Sequence, residues 1–585
     1  MKYQSITGRE WILSNFNENL SLEISQKLGI DNFLSKLLSI RKITVENCQS
    51  YLNPKIKEFM PNPSVLKDMD LAVDTLIKAI KENKRICILG DYDVDGASST
   101  AIIVNFLKNI YSNFFIYIPD RQVDGYGPSV NSLKNIIDKK GEFLITVDCG
   151  TTSFEALEYA GQNNIDVLVI DHHQAEIKLP KCKALVNPNQ LDDKSNLGYL
   201  CAAGVSFLFI VALNRSLRES KFYKDKNINE PDLYDYLDLV ALGTICDVVP
   251  LVDLNRAFVF QGIQILKKRK NIGIKTLIDV ADIKESPSTY HIGFLLGPRI
   301  NAGGRIGQSD LGANLLTSED PKKSYEIATT LDTLNKKRKL IEEDILNEAY
   351  LLAEKEKGNE IILVANKFWH EGLIGIIASR IKERFSKPTI VISSSKNIAK
   401  GSCRSVFGFD IGLAVLAAKQ NGIVIKGGGH KMAAGFSIEE NKISELKNFL
   451  ISKFKSSKPN FTQNNFIEID GILSANAVNE KTYEEVSKLG PFGSGNSEPK
   501  FIVEDLSLIK INFENEFLLK VLFKNSSGLY LHGICFKNNK EKVIDYIKNF
   551  KNHKFHIAGK LSCNDWNKQR VIEFVIEDIS LHTNK

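Results

Sequence analysis

The residues best equipped for chemistry lie in Gly90-Asp91-Tyr92-Asp93-Val94-Asp95-Gly96, directly after the apolar run Ile86-Cys87-Ile88-Leu89. Three carboxylates at alternate positions raise one another's pKa, and a hard divalent cation is the usual remedy. An exposed acidic turn or a single calcium loop would use similar residues, but the later Gly and Glu that an EF-hand requires do not occur at that spacing. Further acids and imidazoles follow. Asp148 comes after the apolar Phe143 to Val147, and Asp171-His172-His173 after Val167 to Ile170. Asp247 sits in Gly243-Thr244-Ile245-Cys246-Asp247-Val248-Val249-Pro250, an otherwise apolar stretch where an unpaired carboxylate is expensive. It needs a metal, a hydrogen-bond partner or a cation, with helix capping as the plainer alternative. A lone histidine after a strand is ordinarily structural; two of them behind an aspartate, beside two other acidic strand ends, are much less so. Asp91, Asp93, Asp95, Asp148, His172, His173 and Asp247 form a cysteine-free set that suits manganese or magnesium better than structural zinc. It holds ligands enough for two ions. Two ions roughly 3.5–4 Å apart activate a water and stabilise the leaving oxygen in phosphoester hydrolysis.

Strand ends must deliver these groups. Helical periodicity over Met69 to Ile80 (Leu71, Val73, Leu76, Ile77, Ile80) leads into the first strand, and Phe114 to Ile118, Phe143 to Val147 and Val167 to Ile170 follow. Such alternation predicts a parallel sheet covered by helices, with its site at the C-terminal strand ends. Gly96 is expected to end the acidic turn, Ala97 to Ile110 to form the next helix, and Leu237 to Leu242 another. Ser318 to Lys357 reads as one long, solvated connecting helix with Lys336-Lys337-Arg338-Lys339 on its wet face. A second α/β unit begins at Ile361 to Val364 and includes the strand Thr389 to Ile392. Beyond residue 460, short segments alternate with turns: Phe466 to Gly471, Lys500 to Val503, Phe517 to Phe523, Leu529 to Cys535, Phe555 to Leu561 and Val571 to Ile576. About five strands in that span predict a small OB-type β-barrel. Its sixteen acidic and sixteen basic residues cancel, so nucleic-acid contact there would rest on exposed aromatics and local lysines. The expected organisation is a helical N-terminal region (1–65), a catalytic α/β domain (66–317), a connecting helix (318–358), a second α/β domain (359–460) and the barrel (461–585).

A chain of 585 residues exceeds a single core. Hydrophobic content of 43% and charged content of 25% fit a soluble globular protein, and a net charge of +6 does not announce a nucleic-acid binder. Nine scattered cysteines without a C-x-x-C pair favour reduced thiols over a disulfide framework or zinc site. No apolar signal core follows Met1. Ser195 to Asn214 is uncharged but interrupted by Gly198 and Gly204, and reads as a buried helix rather than a membrane span, which wants about twenty predominantly apolar residues. A cytoplasmic protein without membrane contact is expected.

Asp171-His172-His173 is the signature of the DHH phosphoesterase superfamily, and Gly90 to Gly96, Val147-Asp148-Cys149-Gly150 and Ala241 to Pro250 resemble its other motifs. Gly297-Pro298-Arg299-Ile300-Asn301-Ala302-Gly303-Gly304-Arg305, Trp369-His370-Glu371-Gly372, Lys400-Gly401-Ser402-Cys403-Arg404-Ser405 and Gly428-Gly429-His430-Lys431-Met432-Ala433-Ala434-Gly435-Phe436 narrow the resemblance to its RecJ family, in that family's motif order. Gly490-Pro491-Phe492-Gly493-Ser494-Gly495-Asn496 precedes the expected barrel, as in that family. The resemblance implies a 5′-to-3′ exonuclease that releases mononucleotides from single-stranded DNA in repair and recombination, using two manganese or magnesium ions. It implies Asp93, Asp95, Asp148, His172 and Asp247 as metal ligands, with Asp91 a ligand or a partner of one. His173 would face the scissile phosphate or leaving group, and Arg299 and Arg305 would neutralise the phosphate backbone or the transition state. Arg121, Ser402 and Arg404 match positions that bind the 5′ phosphate, a task suited to the planar guanidinium fork. His370, Gly428, Gly429 and His430 would contact substrate, the glycine amides approaching phosphates closely. Cys403 stands where the family usually has Gly and is expected to narrow that turn; Ser497 stands for a common Pro. Implied partners are single-stranded DNA with a 5′ end, a helicase and a single-strand-binding protein, the enzyme itself being a monomer. A DHH phosphodiesterase for short oligonucleotides or cyclic dinucleotides is the alternative, though such relatives usually lack the C-terminal barrel. A metal-less DHH scaffold would lack the acidic ligands, and all are present here.

Overall fold

A computed structural model describes residues 5–120, 124, 127–394, 398–457, 466–513, 518–550, 553–564 and 570–581. The chain forms two compact units: Met1–Gly297 with Gly312–Tyr325 and Asn465–Lys585, and Pro298–Leu311 with Glu326–Asn464.

The first unit opens with strand β1 (Glu10–Leu13) and the helices Glu18–Leu28, Asn32–Ile40 and Val45–Leu52. Its central sheet is wholly parallel: β2 (Ile86–Gly90), β3 (Phe114–Tyr117), β4 (Phe143–Val147), β5 (Asp166–Ile170) and β6 (Ala184–Val186), in the order β3-β2-β4-β5-β6. β2 and β4 are buried along their whole length, which is why they read as apolar runs, broken in β4 only by Thr146. The chain leaves β2 for β3 on one side and returns to β4 on the other. Ligand crevices form at such a reversal, outside the carboxyl ends of the strands.

The helix after β2 runs Val94–Leu107, beginning three residues before the expected Ala97. Asp93 is its N-cap, accepting from the Gly96 amide at 3.0 Å. Gly96 therefore lies inside the first turn and does not end the preceding one. A Cβ on it would come within 2.5 Å of the Asp91 carbonyl oxygen, so only glycine lets the turn close on the Asp91 backbone. The uncharged segment weighed as a span contains the start of the buried helix Ala202–Glu219. Among the described residues no helix is long and apolar enough to cross a membrane. Leu237 to Leu242 is helical as expected, within Leu237–Cys246, and Asp253–Lys267 follows.

The second unit is built on β7 (Ile362–Asn366), β8 (Thr389–Ser393), β9 (Ile398–Arg404), β10 (Lys426–His430) and β11 (Ala433–Glu439), ordered β10-β11-β9-β8-β7. The long helix spans Pro321–Glu356. Contrary to the expectation of a solvated connector, Ile345, Ala349 and Ala353 on it join the core formed with Ile374, Ile377 and Ile381. Nor is Arg338 on a wet face. It is buried, with Nη1 donating to Glu342 at 2.5 Å and Nε to Asn335 at 3.2 Å. A run of basic letters hid one inward position in each helical turn.

The chain then returns to the first unit. β12 (Phe466–Ile469) pairs in parallel with β1, so this segment stands outside the C-terminal sheet. β13 (Gly471–Leu473), β14 (Phe501–Phe513), β15 (Leu518–Lys524), β16 (Tyr530–Phe536), β17 (Lys554–Asn564) and β18 (Val571–Leu581) form that sheet in the order β13-β14-β15-β16-β18-β17. β14 also pairs with β17. Phe501, Phe523, Phe555 and Phe574 pack in one core with Ile24, Leu34, Leu37 and Leu38 of the N-terminal helices. The first residues are tied to the last strand: Asp578 accepts from Trp11 Nε1 at 2.9 Å and Thr7 Oγ1 at 2.8 Å, and also from Ser5 Oγ.

Candidate metal centre

Three adjacent strands bring their C-terminal ends to one place. Asp91 follows β2 and is buried; Asp93 and Asp95 belong to the turn and first helical residues beyond it. Asp148 follows β4 in the left-handed region at φ 60, a conformation aspartate tolerates better than most residues, and its amide donates to Ile170 O at 3.0 Å. Asp171 follows β5, and its amide donates to Val186 O at 3.0 Å. The strand-end loops are thus laced to one another before any side chain is considered.

His172 is the hub. Its Nε2 lies 3.4 Å from Asp148 Oδ1, 3.7 Å from Asp247 Oδ2 and 3.8 Å from Asp95 Oδ2. Three overlapping trios result, Asp91-Asp93-Asp148, Asp95-His172-Asp247 and Asp148-His172-His173, each with ligand atoms within 4.8 Å of one another. Hard carboxylate oxygens and neutral imidazole nitrogen at this spacing fit a manganese or magnesium ion, and Asp148 and His172 are each shared between trios.

Each candidate ligand is held by a particular element. Asp95 accepts from the Ala202 and Ala203 amides at 2.7 and 2.9 Å, so it caps the N-terminus of helix Ala202–Glu219 while facing His172. Asp247 stands at the C-terminal end of helix Leu237–Cys246. Helix capping does not account for it, since a carboxylate there meets the negative end of the helix dipole. Asp171, to which the motif alone gives no role, is fully buried and organises the histidines. It accepts from the amides of Thr151 (3.0 Å), His172 (2.7 Å) and His173 (3.2 Å) and pairs with His173 Nδ1 at 2.8 Å. Asn187 Nδ2 donates to His173 O at 2.8 Å, and Asn189 Nδ2 to His172 O. Asp171's place between a buried strand and two imidazoles was the available signal; nothing local marked the two asparagines.

The charges sort into two groups. Burial, then the Asp95, Asp93, Asp91 and Asp247 carboxylates, push Asp148 well above the usual range. Burial also raises Asp95, with His172 opposing, and raises Asp247 to about 8 with the help of Asp95 and Asp93. The Asp171–His173 pair behaves oppositely. Burial works against both charges, yet the hydrogen bond and mutual attraction prevail, holding Asp171 below its ordinary value and raising His173 to about 9. A dication among Asp91, Asp93, Asp95, Asp148 and Asp247 would supply the positive charge their ionisation requires.

The sequence matches the profiles of the DHH family, N-terminal domain, over residues 85–244, the DHHA1 domain over 357–456 and the RecJ OB domain over 469–578. The single-stranded-DNA-specific exonuclease RecJ of Bacillus subtilis (strain 168) is 31% identical over 582 residues, covering 98% of this chain and 71% of its own. Its counterpart in Escherichia coli (strain K12) is 34% identical over 529 residues, 88% of this chain and 90% of its own. The chain belongs to the RecJ family. RecJ from Thermus thermophilus, solved in complex with Mn2+, shares the fold with a TM-score of 0.79 over 98% of this chain and 79% of its own, at 24% identity. An exonuclease RecJ bound to manganese matches with a TM-score of 0.56 and 29% identity, over 67% of this chain and 96% of its own.

The other RecJ-like positions lie in the second unit. Ser402 and Arg404 share one face of β9, whose alternation sends Cys403 to the other, into the core with Ile390 and Phe436. Cys403 is thus in a strand, not a turn, and narrows nothing beside Arg404. Arg404 Nε donates to Ser379 Oγ at 3.0 Å and Nη1 to Ser402 Oγ at 3.2 Å and Cys403 O at 2.8 Å. Among the described residues no carboxylate pairs with it. Arg299 Nε donates to Asp332 at 2.9 Å, and Arg305 Nη1 to Gly372 O at 3.2 Å. His370 Nδ1 accepts from the Gly372 amide at 3.1 Å. Gly428, Gly429 and His430 lie on β10, the edge strand beside β11. Arg121 lies outside the described residues.

Proposed function

We propose that this chain is a 5′-to-3′ exonuclease that releases mononucleotides from single-stranded DNA, using two manganese or magnesium ions. The observation that carries the reading is the set of three ligand trios linked through Asp148 and His172, each of which belongs to two of them. Asp93, Asp95, Asp148, His172 and Asp247 would hold the ions, with Asp91 beside them. Bound there, the ions would polarise the scissile phosphate and lower the pKa of an attacking water. Asp171 holds His173 by Nδ1, which directs the remaining ring nitrogen, Nε2, to the phosphate or to the departing oxygen as a proton donor. Arg404, aligned by Ser379 and Ser402 and free of a carboxylate among the described residues, would take the 5′ phosphate with Ser402 and Arg121. Arg299 and Arg305 would screen the phosphate backbone, and His370, Gly428, Gly429 and His430 would contact it.

In this reading residues 66–317 carry the chemistry, 318–358 connect, 359–460 grip the strand end, and 461–585 with their RecJ OB match hold the single strand. The enzyme acts as a cytoplasmic monomer in repair and recombination, on strands exposed by a helicase and a single-strand-binding protein. Digestion of 5′- and 3′-labelled single strands, with duplex controls, in manganese and in magnesium tests the reading. Stepwise release from the 5′ end of single strands only is expected; release from the 3′ end, or none with either metal, rejects it. Arg404→Ala is expected to slow 5′-phosphorylated strands by about 10-fold or more and 5′-hydroxyl strands far less, since a buried charge-assisted contact is worth about 1.5–3 kcal/mol. An unchanged ratio between the two substrates removes that role.

A further inference from the structure

We infer that Arg256, acting through the loop Gly490 to Asn496, is a positioning residue for the metal ligand Asp247. Arg256 lies on helix Asp253–Lys267 and is 3% exposed. Its guanidinium sits 3.9 Å over the Tyr51 ring, and Nε donates to Tyr51 O at 3.0 Å. The remaining nitrogens all go to one loop: Nη2 to Leu489 O at 3.0 Å and Gly490 O at 2.6 Å, Nη1 to Pro491 O at 3.5 Å. Among the described residues it pairs with no carboxylate, and burial lowers its pKa. A buried cation met only by carbonyl dipoles and an aromatic face is a costly way to fill space, but a five-donor fork is well suited to fixing a loop. Asn496 braces that loop from within, donating to Leu489 O at 2.9 Å and Pro491 O at 2.8 Å while accepting from Tyr51 Oη at 2.9 Å.

The far side of the loop grips the segment that carries Asp247. The Leu251 amide donates to Ser494 O at 2.7 Å. Gly495, at φ 73, lies so close that a Cβ on it would come 3.1 Å from Pro250 Cβ. Asn255, next to Arg256 and fully buried, donates to Pro250 O at 3.0 Å and Tyr199 O at 2.7 Å. Pro250 and Leu251 are thus clamped between the helix and the loop. Between this clamp and Asp247 stand only Val248, 68% exposed and at φ 60, and Val249. Val248 offers no side-chain anchor, so the clamp is the downstream constraint on Asp247, as helix Leu237–Cys246 is the upstream one. Site residues must be held within about 0.5 Å of their productive positions, so a loosened clamp lowers metal affinity before it unfolds anything.

The inference rests on Asp247 as a metal ligand and is tested by Mn2+ binding to the full chain, followed by electron paramagnetic resonance of the free ion. Arg256→Met and Gly495→Ala, with native far-ultraviolet circular dichroism, are expected to bind the weaker ion about 10-fold less tightly, the loss typical of removing a ligand's support. Arg256→Lys falls between them and the parent. Arg570→Met, which breaks surface ion pairs with Glu480 and Glu484 in the same domain, leaves binding unchanged. Parental affinity in Gly495→Ala overturns the inference even where Arg256→Met fails to fold. Asp247→Ala, measured in parallel, separates the two failures. Parental binding in that variant sinks the ligand reading and this inference with it, whereas weakened binding there beside parental affinity in Gly495→Ala sinks this inference alone.

Discussion

At the residue scale, Asp95 and Asp247 are equivalent as proposed ligands but not as structure. Asp95 takes two amides of a buried helix start, so Asp95→Ala should cost about 1–2 kcal/mol of stability as well as nucleotide release. Asp247 stands at a helix C-terminus with its pKa raised to about 8. A carboxyl whose folded pKa exceeds its unfolded one destabilises the fold as pH rises between the two values. In EDTA at pH 8, Asp247→Ala should therefore melt at or above the parent temperature and Asp95→Ala below Asp247→Ala, since burial raises Asp95 as well but its loss also leaves two helix amides without their acceptor; neither variant releases nucleotide with metal restored. Differential scanning fluorimetry beside a nuclease assay checks the pair; equal melting shifts would contradict the division of duties. Asp171→Asn, which removes the anion that holds His173, should lower kcat by at least about 10-fold with Mn2+ binding retained. The acids were legible in the sequence because Asp91, Asp148 and Asp171 follow apolar strands, Asp247 closes an apolar helix, and Asp93 and Asp95 crowd the turn beyond β2. Asp95's second duty was not, because its partners Ala202 and Ala203 are more than a hundred residues away and contribute only backbone amides.

At the scale of elements, helix Leu237–Cys246 holds an acid in its first turn as well as one at its end. Asp238 is fully buried, and its pKa rises to about 7, chiefly through burial, although it accepts from the Leu239 amide at 2.7 Å. The unfolded chain releases this proton near pH 4 and the folded chain only near 7, so ionisation destabilises the fold across that window, by at most about 4 kcal/mol. Asp238→Asn should match the parent's stability at pH 4 and exceed it at pH 8, as urea melts at the two values would show; a parallel pH dependence would place the titration elsewhere. Element types were largely readable from periodicity and element limits were not. The helix after β2 starts at Val94 because Asp93 caps it, and the long helix buries a single stripe that passes through the basic run at Arg338 and continues to Ile345, Ala349 and Ala353. Ser402 and Arg404 stand two apart, so a strand's period of two puts them on one face, and the same period carries Cys403 away.

For the whole molecule, ligation should outweigh any single contact. Saturating Mn2+, at about a hundred times its dissociation constant, should add about 2.7 kcal/mol to the metal-free protein and raise its melting temperature, an increment absent in His172→Ala. A melting temperature indifferent to Mn2+ would argue against a preformed centre. The alternation of strands and helices made the catalytic sheet and the second α/β unit legible, and the late β-rich stretch made the C-terminal sheet legible. What escaped was how distant segments share a core: the N-terminal helices, expected as a region of their own, pack against the phenylalanines of the C-terminal strands. Side chains 573 positions apart meet where Ser5 reaches Asp578. On the ribosome, then, the first apolar helices emerge long before the residues that will cover them. They must be sheltered for almost the whole of translation, so a prematurely terminated chain displays Leu34, Leu37 and Leu38 as a sticky surface that chaperones and proteases can recognise.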